Sequence, residues 1–204
     1  MPWICVDAGI AAGKSTLLEA LEREGVRVNK EPVGDPSKGE RLSWDPFLDA
    51  MYGGVPGAAF SFQKQVVLDR ALSEEAASIG VSPDKWGVME RSPDMQRLTF
   101  VRMGGLTDEE VDHIDSMYES AVWKPACIIY MRVPPDVSHA RMVSRGRASE
   151  QGMGVDFHEK LHDLHEDAIE VIRAKGIPLH VIQDAGPEEI RGAVRGILND
   201  LRVF

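Results

Sequence analysis

The sequence predicts an α/β fold in which five parallel strands form one sheet, covered by helices on both faces. Three observations lead there. Short apolar runs alternate with helical patterns along the chain, as they do where a parallel sheet is built from strand and crossover helix in turn. The run Ala126–Val133 (ACIIYMRV) is apolar almost throughout, as suits a strand buried on both faces. The first run, Trp3–Asp7 (WICVD), passes through a glycine-containing turn into a helical pattern, so the chain opens as strand, loop and helix.

The other elements follow in order. After the turn, STLLEALERE places Leu17, Leu18 and Leu21 at helical spacing. Val26–Glu31 (VRVNKE) is expected as the second strand and Trp86–Arg91 (WGVMER) as the third. Ala126–Val133 is the fourth and Leu179–Gln183 (LHVIQ) the fifth. Helical patterns occupy Phe60–Ala77, Thr107–Ala121, Pro134–Ser144, Phe157–Lys175 and Pro187–Leu201. The glycines of Gly53–Gly57 and Gly104–Gly105 punctuate loops. With no internal repeat and no low-complexity linker, a single domain over residues 1–204 is expected.

An apolar fraction of 43% and a charged fraction of 27% are those of an ordinary globular protein. The formal charge of −10 argues against a nucleic-acid polymer as partner, which would need a basic stripe. It leaves room for a small basic pocket. Cys5 and Cys127 sit in apolar runs and are expected as buried, reduced thiols. No run approaches a membrane span, and the N-terminus lacks the regions of a signal peptide, so a cytoplasmic protein without a membrane partner is expected.

The turn reads GIAAGKST, with Gly9, Ala11, Ala12, Gly13, Lys14, Ser15 and Thr16 in it. Backbone N–H groups at a helix start, together with a lysine, make an anion site, and Ser15 would offer its hydroxyl to Mg²⁺. The Walker A pattern asks for glycine at position 8, where this chain has Ala8. Alanine suits that place unless φ must be positive. The plainer alternative is a small-residue turn beside an exposed lysine.

Two further strands end in carboxylates: Glu31 closes the second, and Glu90 with Arg91 closes the third. Ligands of parallel sheets lie beyond the carboxyl ends of the strands. One crevice would therefore collect Lys14, Ser15, Glu31, Glu90 and Arg91, a base and an arginine beside a phosphate loop. Arg141, Arg145 and Arg147 then fall within seven residues of an otherwise acidic chain. They are placed to neutralise charge on a transferred phosphoryl group from an Arg-rich lid at about 141–154.

With these residues assembled, the chain resembles the deoxynucleoside kinase family, a group with a P-loop kinase fold. The likeness rests on GIAAGKST, EPV, MY…FSFQ, MERS and RGRASEQGM…EKLHDLHED, and it runs to about Asp167. The lid and following helix are its most specific part. The resemblance implies transfer of the γ-phosphoryl group of ATP to the 5′-hydroxyl of a deoxynucleoside, in nucleotide salvage. Lys14 and Ser15 would serve ATP and Mg²⁺, with Glu90 helping to hold the metal. Glu31 would be the general base and Arg91 would fix it and the hydroxyl. Tyr52 and Glu150 would bind the sugar, Gln63 would read the base edge and Phe100 would stack on the base. Arg141 and Arg145 would contact phosphates, with Arg147 a weaker candidate.

Arg70, two helical turns past Gln63, matches an arginine that relatives pair with an aspartate. Here Gln96 holds that aspartate's position, which implies a preference for deoxycytidine or purines over thymidine with softened selectivity. Family members pair through two helices, which implies a homodimer through Phe60–Ala77 and Thr107–Ala121. The stripe Val111, Ile114, Met117, Val122 on the second suits an interface or a core equally. Three departures stand out: Ala8, Ser149 in place of a first glutamate, and the lack of a tryptophan just after EPV, which implies a looser base pocket. A thymidylate-type monophosphate kinase and a non-catalytic scaffold of the same fold are the alternatives.

Overall fold

All five expected strands form, in a single sheet of order β2-β3-β1-β4-β5 in which every neighbouring pair is parallel. The structure, a computed structural model, describes residues 3–34, 39–78, 86–121, 124–147, 150, 152–184 and 186–201. The strands are β1 (Trp3–Asp7), β2 (Val28–Asn29), β3 (Gly87–Glu90), β4 (Cys127–Arg132) and β5 (Leu179–Gln183). The helices are α1 (Lys14–Arg23), α2 (Asp45–Tyr52), α3 (Ala58–Ser78), α4 (Pro93–Leu98), α5 (Asp108–Ala121), α6 (Pro135–Arg145), α7 (Val155–Ala174) and α8 (Pro187–Asp200).

Strand β1 lies at the centre, and all five of its residues are buried. Its side chains alternate between two cores, as the period of a strand demands. Ile4 and Val6 pack with Leu17, Leu18 and Leu21 of α1 and with Ile190, Val194 and Leu198 of α8. Trp3 and Cys5 pack on the other face with Met95 of α4 and Ala168, Ile169 and Ile172 of α7. Cys127 belongs to the first core and Cys5 to the second. The two thiols are therefore separated by the sheet, and both are free and buried, as expected.

Beside this three-layer body, α3 packs on α5 through Val67, Val101, Ile114 and Tyr118, and on α2 through Trp44, Phe62 and Val66. The stripe on α5 is thus core: Ile114 is fully buried, with Val111 and Met117 packed around it. Val122 lies outside the described residues.

Strand β2 is shorter than the expected Val26–Glu31. It is an edge strand paired only with β3, and the Glu31 N–H leaves the ladder to donate to the Glu90 carboxylate at 3.1 Å. Helices α2 and α4 were not anticipated. At eight and six residues they are too short for a hydrophobic period to register. Their starts are nonetheless marked: the Ser92 hydroxyl accepts from Met95 N–H and Pro93 opens α4. Among the described residues no helix is long and apolar enough to cross a membrane.

Candidate active site

Beyond the carboxyl ends of the strands lies a cavity of about 1590 Å³, lined by Lys14, Ser15, Glu31, Glu90 and Arg91 together. Register explains the gathering. Val6 pairs with Glu90 across β1 and β3, so the loop after β1 and the turn after β3 emerge side by side.

Lys14 opens α1 and folds its ammonium into the loop, donating to the carbonyls of Ala8 (3.2 Å) and Gly9 (2.8 Å). Burial, and secondarily Arg91, lowers its pKa to about 7. Ser15 and Thr16 stand exposed beside it. Gly13 caps the helix at φ 91, the left-handed region that glycine enters without penalty. The question raised by Ala8 is settled by the backbone: outside glycine, positive φ occurs among the described residues only at Ala11 (φ 55) and Arg91 (φ 63). Position 8 demands no glycine. Its carbonyl is instead an anchor, accepting also from Arg91 Nη1 at 2.7 Å.

Arg91 is the hub. Its N–H continues the ladder to Val6 O (3.0 Å), and its left-handed φ turns the chain away. That turn is capped by Asp7, whose two carboxylate oxygens accept from Ser92 N–H at 3.1 and 3.0 Å. Burial raises Asp7 to about 6, opposed by Ser92 and Arg91. The Arg91 guanidinium lies 2.9 Å from Glu31 Oε1 and 4.2 Å from the ring centroid of Phe100.

Glu31 is held from two sides. Arg70 on α3 donates to the same Oε1 at 2.9 Å. Burial pushes its carboxyl up, but Arg91, Arg70 and Lys14 outweigh burial and hold it below the usual range. Glu90 goes the other way, raised by burial and by Glu31. The two carboxylates thus differ in environment, one held by two guanidiniums and one raised by its neighbour.

Tyr52, Gln63, Gln96, Phe100, Glu150, Arg141, Arg145 and Arg147 also line the cavity. Gln96 Nε2 donates to Gln63 Oε1 at 3.3 Å. Glu150 accepts from Arg145 at 2.6 Å on each oxygen and from Arg147 at 3.1 Å. Arg147 also reaches the carbonyl of Gly34 (2.8 Å), and the Nε atoms of Arg145 and Arg147 are buried without a partner. Arg141 donates to Asp184 at 3.2 and 3.1 Å. Gly146 ends α6 at φ 69, where the expected lid begins; residues 148, 149 and 151 of the lid, and with them Ser149, lie outside the described residues.

One expectation needs correction. Arg70 was expected on the base-facing wall beside Gln96, but it does not line the cavity. Gln96 is neutral and offers no counter-charge, so the guanidinium goes to Glu31. No tryptophan stands just after EPV, but Trp44, twelve residues beyond Pro32, is buried against the cavity, with its indole N–H on Asp69 Oδ2 at 2.6 Å.

His165 and Asp7 were not anticipated. His165 on α7 is stacked on Tyr130 (5.3 Å) and edge-on to Phe100 (6.1 Å), with Nδ1 2.6 Å from Leu161 O. Burial lowers it from 6.5 to about 3. The unfolded chain therefore takes up a proton below about 6.5 that the native chain refuses until about 3, and stability falls as pH falls through that window. At pH 5 the loss is about 2 kcal/mol. Melting curves of His165→Phe and the parent should diverge below pH 6.5, with the parent falling faster. A difference independent of pH would refute this.

A parallel sheet with a lysine-bearing loop at a helix start, and a base–arginine pair at the neighbouring strand ends, defines a phosphotransferase of the P-loop kinase class. A family model, deoxynucleoside kinase, matches residues 4–187. The chain belongs to the deoxynucleoside kinase family, and is a kinase of deoxynucleosides. It is 28% identical over 177 residues to a probable deoxycytidine kinase of fowlpox virus, covering 80% of this chain and 69% of that one. It is 29% identical over 178 residues to mitochondrial thymidine kinase 2 of Homo sapiens, covering 80% and 63%. Deoxyadenosine kinase from M. mycoides with bound dATP superposes with a TM-score of 0.74 at 18% identity, covering 98% and 100%.

Proposed function

We propose that this chain transfers the γ-phosphoryl group of ATP, as its Mg²⁺ complex, to the 5′-hydroxyl of a deoxynucleoside. The observation that carries the reading is the convergence of Lys14, Glu31, Glu90 and Arg91 in one cavity. Both arginine contacts on Glu31 fall on Oε1, which leaves Oε2 to take the hydroxyl proton. Arg91 orients Glu31 and the incoming oxygen. Tyr52 and Glu150 bind the sugar, the amides of Gln63 and Gln96 face the base edge, and Phe100 offers the ring face that Arg91 does not cover.

Phosphate oxygens take the loop N–H groups from Gly9 to Thr16 and the Lys14 ammonium. The guanidiniums of Arg141, Arg145 and Arg147, which line the cavity, add positive charge on that side. Among the described residues there is no group of three or more potential metal-ligating His, Cys, Asp or Glu residues. Mg²⁺ is commonly held by one or two protein groups and the substrate's own phosphates. Ser15 and Glu90 would be those groups, and the ion would neutralise charge on the transferred phosphoryl. Its charge beside Glu90 would also relieve the repulsion between Glu90 and Glu31.

Pairing of two copies is supported by Leu68 and Leu72, one turn apart on α3 and 50% and 60% exposed. An apolar pair of this kind on the outer face of α3 suits a symmetric homodimer contact. A single domain spanning 1–204, in the cytoplasm, completes the reading.

Steady-state assays of four deoxynucleosides with ATP and Mg²⁺, with thymidylate beside thymidine, test it. Turnover is expected with deoxynucleosides and not with thymidylate. Turnover confined to thymidylate, or ATP binding with no turnover on any nucleoside, overturns it.

A further inference from the structure

We infer that Arg70 is a positioning residue for Glu31 and not a reader of the acceptor's base. The inference rests on the reading of Glu31 as general base. Arg70 is 3% exposed, and a cation so deeply placed needs a counter-charge. The carboxylate it reaches is Glu31, with Nη2 donating to Oε1 at 2.9 Å.

Arg70 projects from α3, whose neighbouring turn is locked into two cores through Val66 and Val67. The guanidinium also sits over the Trp44 ring, 5.6 Å from its centroid. That indole is tethered to Asp69, which accepts from Gln65 as well. Helix, indole and carboxylate thus hold Arg70 before any substrate arrives.

A single arginine leaves a carboxylate free to swing about its last bond. Here Arg91 arrives from the end of β3 and Arg70 from α3, and both meet Oε1. Two donors from separate elements on one oxygen define the plane of the carboxylate and aim the other oxygen. The cavity wall nearby is made instead by Gln63, seven residues earlier on α3, and by Gln96, whose amides bond to each other. A base in the cavity meets those amides, whereas Arg70 is absent from the lining and acts on the chemistry through Glu31.

The test is a double-mutant cycle read with thymidine, deoxycytidine and deoxyadenosine as acceptors and ATP as donor. Arg70→Met should lower kcat about ten-fold for every nucleoside, with KM changed by less than about three-fold and the preference among nucleosides unaltered. In a Glu31→Gln background the same substitution should cost less than about two-fold, because its effect passes through the base. Arg70→Lys should regain part of the loss, since an ammonium keeps the charge but not the fork. Should Arg70→Met fail to fold, Arg70→Lys carries the test: a base-independent fall in kcat supports the inference.

A shift in preference, with thymidine gaining on deoxycytidine while Glu31→Gln stays impaired, overturns this inference alone. So does an Arg70→Met loss that persists undiminished in the Glu31→Gln enzyme. A Glu31→Gln enzyme turning over at the parent rate overturns the assignment of the base, and this inference with it.

Discussion

Glu31→Gln should lower kcat by about 10²-fold or more while nucleoside KM changes far less. The amide has nearly the shape of the carboxylate, so Arg70 and Arg91 still find an oxygen at the Oε1 position. What disappears is the proton acceptor. An amide cannot take the hydroxyl proton as the oxygen attacks phosphorus, and transfer must proceed from a neutral hydroxyl. Two buried guanidiniums also lose their counter-charge. The melting temperature should drop, by less than the roughly 3–5 kcal/mol of a severed buried pair because the amide oxygen still accepts. Rates are therefore measured where melts show the variant folded. A Glu31→Gln enzyme near the parent rate removes Glu31 from the mechanism.

Lys14→Ala should lower kcat by about 10²-fold or more and weaken ATP binding as well. Its ammonium sits within the curl of the loop, pinned by the carbonyls of Ala8 and Gly9, and so is already aimed where β- and γ-phosphates would lie. Burial holds its pKa near 7, and phosphate oxygens favour the charged form. Charge would thus be greatest on the lysine when the nucleotide is in place. Alanine removes both the cation and the donor. Single-turnover rates with equilibrium ATP binding separate the two losses, and turnover within about three-fold of the parent would exclude Lys14 from transfer.

How much of this was legible in the sequence depends on the kind of interaction. The strands were legible because a sheet buried on both faces writes continuous apolar runs, and only the ends of edge strand β2 were misjudged. Lys14, Glu31, Glu90 and Arg91 were legible as one site because parallel topology alone sends strand ends to a common rim. The choice of partner was not. That Arg70 would join Glu31, 39 positions away, depends on how α3 is set against the sheet, and no spacing in the sequence encodes it. Nor did a pattern mark Asp7, whose work is to cap a left-handed turn 85 positions on. Nor did one mark Trp44, which the chain brings back so that its backbone N–H donates to Pro32 O.

The strand order has a consequence for change over time. Because β1 stands between β3 and β4, the phosphate loop divides the rim in two. On one flank β2 and β3, with α2, α3 and α4, supply Glu31, Glu90, Arg91, Tyr52, Gln63 and Gln96. On the other, α6 and the end of β5 supply Arg141 and Asp184. Arg147 bridges the two flanks, reaching Gly34 O on the first while sharing Glu150 with Arg145 of α6. Away from that bridge, widely separated substitutions without shared partners combine additively. Changes on the β2–β3 flank can therefore accumulate while the Arg141–Asp184 pair on the other is inherited unaltered.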